Sequence, residues 1–398
     1  MKKPGLWSGF FMSPQNPTFF YRYIDIQSRL CIFRYYIDTQ DRACAADRAS
    51  AMTGSVLGRA IRRGLYAVTA MIGLCGSVHA ATVRVGYIPV IGSAPLFVMQ
   101  GKNWARDAGI DMQLVRFQSG PQAIQALVSG KIDAYVAGVL PLLQARAHGA
   151  DVKVVASAAT EELEVVSRGA LAADLPEQPV ALTPDALRQR FADFATKAGH
   201  KPKIAAQPLG SVPDTLLRYW LKARNGLEPA DVADIVGIDI DAAQQAFLAG
   251  AVDGAILREP ALTIIRHRMP GMRVLASGHD IMPGQPGSVL AIVNEDAPDR
   301  AAWKTAFLTS FVRATHLLAT DPEQAEPYVQ QALGGGMLPR DIIIEALKVS
   351  ASSYVSDPAS IVDAVSKLQD FEVQTGLLHK AEPVSALFDL ESYRQISQ

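Results

Sequence analysis

Three serines stand two residues ahead of prolines, in Gly92-Ser93-Ala94-Pro95, Gln118-Ser119-Gly120-Pro121 and Gly210-Ser211-Val212-Pro213. Each follows an aliphatic run that reads as a strand and leads into a stretch that reads as a helix. A serine hydroxyl at that place accepts the first free helical N–H, and a proline in the first turn costs no hydrogen bond. The N–H groups of such a turn, backed by the positive end of the helix dipole, favour an anionic group set in front of them. Gly120 lets a ligand come close to the backbone. The ordinary alternative for each serine is a helix cap that faces no ligand. Arg258, in Arg258-Glu259-Pro260, follows an apolar run and has the planar fork that pairs with a sulfonate, carboxylate or nitrate. Its alternatives are a salt bridge to Glu259 or a solvated surface charge. Gly138 closes another apolar run, either for ligand approach or as a plain turn. Tyr87 is placed to line a pocket, Trp104 reads as core, and Asp133 and Asp253 read as structural groups satisfying turn backbone.

These residues need elements to hold them, and the chain supplies the same plan twice. Ser93 and Ser211 are 118 residues apart, while Asp133 and Asp253 are 120 apart in the related phrases Gly-Lys-Ile-Asp and Gly-Ala-Val-Asp. Strands such as 82–90, 110–117 and 132–138 alternate with helices over 96–109, 118–130 and 140–149, which is the signature of βαβ units and a parallel sheet. On the helix over 118–130, Ile124, Leu127 and Val128 are expected to share a buried face, with Gly130 as a left-handed cap. The second run of strands and helices begins near residue 203, after an exposed helix at 183–199. A stripe of Trp303, Phe307, Phe311 and Leu318, and another of Ile361, Val365 and Leu368, mark core-facing helices near the end. The fold class is therefore α/β, with two similar lobes whose strands are mainly parallel. In such sheets ligands settle beyond the carboxyl ends of the strands, where helix N-termini converge.

Composition narrows the function. The first 80 of the 398 residues carry 10 Lys+Arg and 4 Asp+Glu, leaving 28 and 35 beyond them, a mildly acidic balance that disfavours nucleic acid as a partner. Arg59, Arg62 and Arg63 precede a short uncharged run ending in Val78-His79-Ala80, the pattern of a signal peptide cleaved near Ala80. Residues 52–80 are read as that signal and residues 1–51 as an over-extended gene start, which places the product in the periplasm. Cys31, Cys44 and Cys75 all precede the cut, so thiol catalysis and thiolate metal sites are excluded beyond it, and the scattered histidines show no paired spacing. No catalytic residue, cofactor or metal is expected.

Over Val83 to Gly138, Gly210 to Val232 and Ala246 to Leu262 the chain resembles the solute-binding proteins of nitrate/sulfonate/taurine-type ABC importers, a group that includes binders of thiamine-pyrimidine precursors. The likeness covers roughly residues 82–375. It implies a type II periplasmic-binding-protein fold, with two crossovers and lobes that close on a ligand. It divides the chain into lobe one (81–170), lobe two (171–284) and a return to lobe one with C-terminal helices (285–398). It also implies no enzyme, but a monomer that captures a small organic or inorganic anion and delivers it to a cognate permease in the inner membrane. The ligand contacts it implies fall on Tyr87, Pro89, Val90, Ser93, Ala94, Ser119, Gly120, Gly138 and Val139 in lobe one. In lobe two they fall on Gly210, Ser211, Val212, Arg258 and Glu259. The chain departs from the pattern at Arg258, where an aromatic residue often precedes the Glu-Pro pair, and in the helix at 183–199. A reading from another class is an enzyme on the same scaffold, similar to thiamine-pyrimidine or menaquinone-pathway synthases; export distinguishes the two.

Overall fold

In a computed structural model, which describes residues 80–335 and 338–397, the chain builds two five-stranded sheets. The first comprises β1 (Ala81–Tyr87), β2 (Ile110–Arg116), β3 (Ala134–Gly138), β4 (Val152–Ser157) and β10 (Ser288–Val293), in the order β2-β1-β3-β10-β4. The second comprises β5 (Glu164–Ser167), β6 (Lys203–Ala206), β7 (Asp234–Gly237), β8 (Gly254–Leu257) and β9 (Arg273–Ala276), in the order β7-β6-β8-β5-β9. Both sheets follow one plan. Three parallel strands come first, then an antiparallel strand brought in by a crossover, then a last strand parallel to the first three. The strand after each crossover, β5 or β10, fills the fourth place, so the two lobes are joined twice. β3 and β8 are buried along their whole length, which is why Ala134-Tyr135-Val136-Ala137-Gly138 and Gly254-Ala255-Ile256-Leu257 are continuous small or apolar runs instead of alternating ones.

The matched aspartates explain the repeat at atomic level. Asp133 accepts the Arg84 N–H of β1 at 2.9 Å, and Asp253 accepts the Lys203 N–H of β6 at 2.9 Å. In return the Asp133 N–H donates to the Arg84 carbonyl, and the Asp253 N–H to that of Lys203. Each aspartate thus locks the start of one central strand to its neighbour. They are structural, although the backbone they satisfy belongs to the adjacent strand and not to their own turn.

Helices α1 (Ala94–Gly101), α2 (Gly120–Val128) and α3 (Leu140–Ala147) serve the first sheet. Helix α4 (Pro184–Ala198) is capped by Thr183 and stopped by Gly199 at φ 76°, and it buries Leu187, Phe191 and Phe194. The second sheet is served by α5 (Val212–Tyr219), α6 (Ile240–Ala249) and α7 (Ala261–Arg268). Helices α8 (Pro298–Thr320), α9 (Arg340–Ser350) and α10 (Val362–Gln374) follow β10. The aromatic stripe of α8 and the aliphatic stripe leading into α10 are both buried. One apolar cluster runs from Val139 and Leu140 in lobe one, through Val365 and Leu368 of α10, to Val212, Leu216 and Leu217 of α5 in lobe two.

Two expectations need correction. Val128 is 55 % exposed, because α2 ends there and of the expected three only Ile124 and Leu127 turn inward, while Gly130 does take the left-handed cap at φ 69°. The second sheet begins at Glu164, not beyond residue 170, because β5 pairs with β8 and β9. The crossover over 158–163 contains neither glycine nor proline to announce it. The expected signal peptide and the residues before it lie outside the described residues, apart from Ala80. Among the described residues, no helix is long and apolar enough to cross a membrane.

Candidate functional site

Parallel pairing puts the carboxyl ends of β1 to β4 on one edge of their sheet, with the start of β10 beside them. Those of β6 to β9 share an edge with the start of β5. The two edges meet. The Ile91 N–H donates to the Glu259 carbonyl at 3.1 Å across the seam. A Cβ placed on Gly138 would lie 2.5 Å from Val212 Cγ2, and one on Gly210 would lie 2.6 Å from Gln144 Nε2. Glycine is required at 210 on a second ground, since its φ is +79°. These contacts bring Gly138 and Gln144 of lobe one against Val212 and Gly210 of lobe two.

The loop after β1 is pinned from several sides. Tyr87 packs edge-on to Phe97 with ring centroids 5.4 Å apart, and burial pushes its phenol up. Pro89 is half-buried, and Val90, Ser93 and Ala94 are buried. Ser93 does not cap α1. Its hydroxyl donates to the Ile88 carbonyl at 2.7 Å, tying the loop back on itself, and Tyr354 Oη donates to the Ile91 carbonyl at 3.0 Å. Ser119 occupies the cap position of α2 without a side-chain cap bond, whereas Ser211 does accept the Asp214 N–H, at 3.4 Å. Gly120 lies beside Tyr135, and Tyr135 Oη donates to the Gly138 carbonyl at 2.8 Å.

Arg258 is 3 % exposed and its partner is Glu162, Nη1 to Oε1 at 2.6 Å, not Glu259. Ser288 Oγ donates to the same Glu162 oxygen at 3.0 Å. Glu259 is committed elsewhere: it accepts the Thr263 N–H at 2.9 Å, holding the first turn of α7, and Arg266 Nη1 at 2.9 Å. Burial raises its carboxyl, against the opposing pull of Arg266.

Nine buried side-chain polar atoms find no partner among the described residues, and four of them follow or end a strand on this edge. They are Gln118 Oε1 after β2, Ser157 Oγ at the end of β4, Gln207 Nε2 after β6 and Arg258 Nε after β8. An unpartnered buried polar atom costs about 1–3 kcal/mol. Four such atoms on the joined edges of two sheets suit a ligand that brings donors and acceptors of its own.

Sequence reasoning missed Glu162, Tyr135, Ser157, Gln207 and Ser288. Gln118 and Gln207 stood next to motifs already singled out. Glu162, inside Glu161-Glu162-Leu163-Glu164, looks like any solvated acidic run.

The sequence pattern of the NMT1-like family matches residues 76–333. The chain belongs to the NMT1-like family. An aliphatic-sulfonates-binding protein of Bacillus subtilis, itself named only provisionally, is 26 % identical over 83 % of this chain and 95 % of its own length. An ABC transporter periplasmic binding protein of Brachyspira hyodysenteriae, also named provisionally, is 26 % identical over 66 % of this chain and 72 % of its own. The crystal structure of the periplasmic nitrate-binding protein of Synechocystis PCC 6803 superposes with a TM-score of 0.67 over 80 % of this chain and 88 % of that one, at 16 % identity. The NMT1-like chain therefore has the two-lobed fold of ABC-type periplasmic binding proteins.

Proposed function

We propose that this NMT1-like protein is the capture component of an ABC importer, holding a small anion between its lobes in the periplasm and handing it to a cognate permease. The observation that carries the reading is Arg258: buried on the seam, with one guanidinium nitrogen unpartnered, among three other unpartnered polar atoms on the same edge. The helix starts at Gly120 and Val212 add N–H groups to that edge. The sulfonate and nitrate named for the relatives are both anions of the kind an arginine fork accepts.

A ligand that binds only the native state raises the melting temperature, by an amount that grows with the logarithm of its concentration over its Kd. Sulfonates, nitrate, aromatic carboxylates and pyrimidines form the screening panel, and at least one anion is expected to stabilise the protein. Arg258→Ala would also strand Glu162, so Arg258→Lys is the cleaner variant: it keeps the charge opposite Glu162 and removes the fork. Its affinity for the stabilising anion is expected to fall by about tenfold or more, with the unliganded melting temperature little changed. Equal losses in both would assign Arg258 to structure alone, and a panel without any stabilising anion would end the reading.

A further inference from the structure

Glu162 is the group on this edge that anion capture does not explain. Its side chain is 6 % exposed, and it stands on the first crossover, two residues before β5, on the seam between the lobes. An anion that reaches Arg258 meets a carboxylate already on the guanidinium. If the anion displaces Glu162, that carboxylate keeps only the Ser288 hydroxyl in a buried place, which is costly. If both share Arg258, two negative charges lie side by side. Either way a simple oxyanion is opposed, and a ligand with a positive group of its own removes the opposition.

Beside Glu162 a cavity of about 370 Å³ is walled by Glu161, Glu162, Glu164 and Glu259, with Ser277, His279 and Ser353; Arg258 does not line it, so it offers room for the amine end of a ligand and not for its anion. Arg266 pairs with both Glu164 and Glu259, and Glu161 takes the Gly284 N–H and a His279 ring nitrogen. Glu162 is then the wall carboxylate whose matching charge is the same arginine an anion would claim.

On the strength of the capture reading above, we infer that Glu162 is a specificity-determining residue, which restricts the site to small zwitterions that set an anionic group on Arg258 and a protonated amine on Glu162. The device works against the wrong ligand as much as for the right one.

Matched pairs test it by isothermal titration of the full exported chain: 3-aminopropanesulfonate against propanesulfonate, and β-alanine against propionate, with nitrate alongside. The wild type is expected to bind the amine-bearing member of a pair about tenfold tighter or more, and Glu162→Gln to shrink that preference to about twofold, chiefly by tightening the plain anion. A wild type that prefers the plain anion overturns the inference by itself, whether or not the variant folds. So does a folded Glu162→Gln that keeps the wild-type preference. In both cases plain anions that bind, and weaken on Arg258→Lys, leave the capture reading standing. If nothing binds and no anion in the wider panel stabilises the protein, the capture reading falls and takes this inference with it.

Discussion

Glu372 is fully buried on α10, where Thr215 Oγ1 of α5 donates to its Oε1 at 2.8 Å while Oε2 has no partner among the described residues. Burial is the main force lifting its carboxyl from 4.5 to about 7; Thr215 pulls it down and nearby Asp214 pushes it further up. Below about pH 4.5 the group is protonated both folded and unfolded and costs nothing. Between there and pH 7 the unfolded chain ionises first, so folding loses ground as pH rises, by about 3 kcal/mol once both states are charged. Glu372→Gln keeps the acceptor for Thr215 and removes the charge. Its melting temperature should match the wild type at pH 4 and exceed it by several degrees at pH 8; equal values at both ends would mean that the site is hydrated. No sequence pattern announced this group, since a glutamate on an amphipathic helix looks the same whether it meets solvent or a threonine from another lobe. Ser93 teaches the same lesson. Serine is favoured at a helix start for accepting an N–H, yet here it donates to a carbonyl, and residue type alone does not say which.

Among elements, the two βαβ plans were legible because burial and turn chemistry write themselves into residue type. Central strands must be small and apolar, helix starts want Ser and Pro, and the strand-locking aspartate recurs at its own spacing. The crossover was not legible, because β5 is short and nothing in the sequence separates it from β4. The aspartates also differ in load. Burial alone would raise the Asp133 carboxyl, but the Arg84 side chain and backbone, together with Arg300, bind the charged form and hold it below the usual range. Arg84 grips it through Nε and Nη2, both at 2.9 Å, and Arg300 Nη1 at 2.8 Å. Asp253 accepts the Lys203 N–H at the matching place in the second sheet. Removing a partner from a buried charged network costs about 3–5 kcal/mol, whereas one backbone hydrogen bond to the partly exposed Asp253 carboxylate is worth about 1. Asp133→Ala should therefore lose about 3 kcal/mol in urea unfolding and Asp253→Ala about 1, and equal losses would show that the guanidinium contacts add nothing to the backbone lock.

At the scale of the molecule, the capture proposed above requires lobes that part and meet, and the contact between Gly138 and Val212 offers a way to wedge them. Gly138 is absent from the positive-φ glycines, so alanine there carries no backbone strain and only its methyl matters. That methyl would lie 2.5 Å from Val212 Cγ2 and 3.2 Å from its Cβ, closer than carbon atoms tolerate. Val212 is 2 % exposed and sits in the first turn of α5, where a β-branched side chain has one strongly preferred rotamer and little room to swing aside. Relief must then come from the seam. Gly138→Ala is expected to keep its secondary structure, to show a larger radius of gyration by small-angle X-ray scattering with ligand present, and to bind about tenfold more weakly or worse. Adding Val212→Gly should restore both, because it removes the atoms that the new methyl strikes. If Gly138→Ala alone closes and binds like the wild type, the seam yields locally and the meeting of these edges does not govern capture.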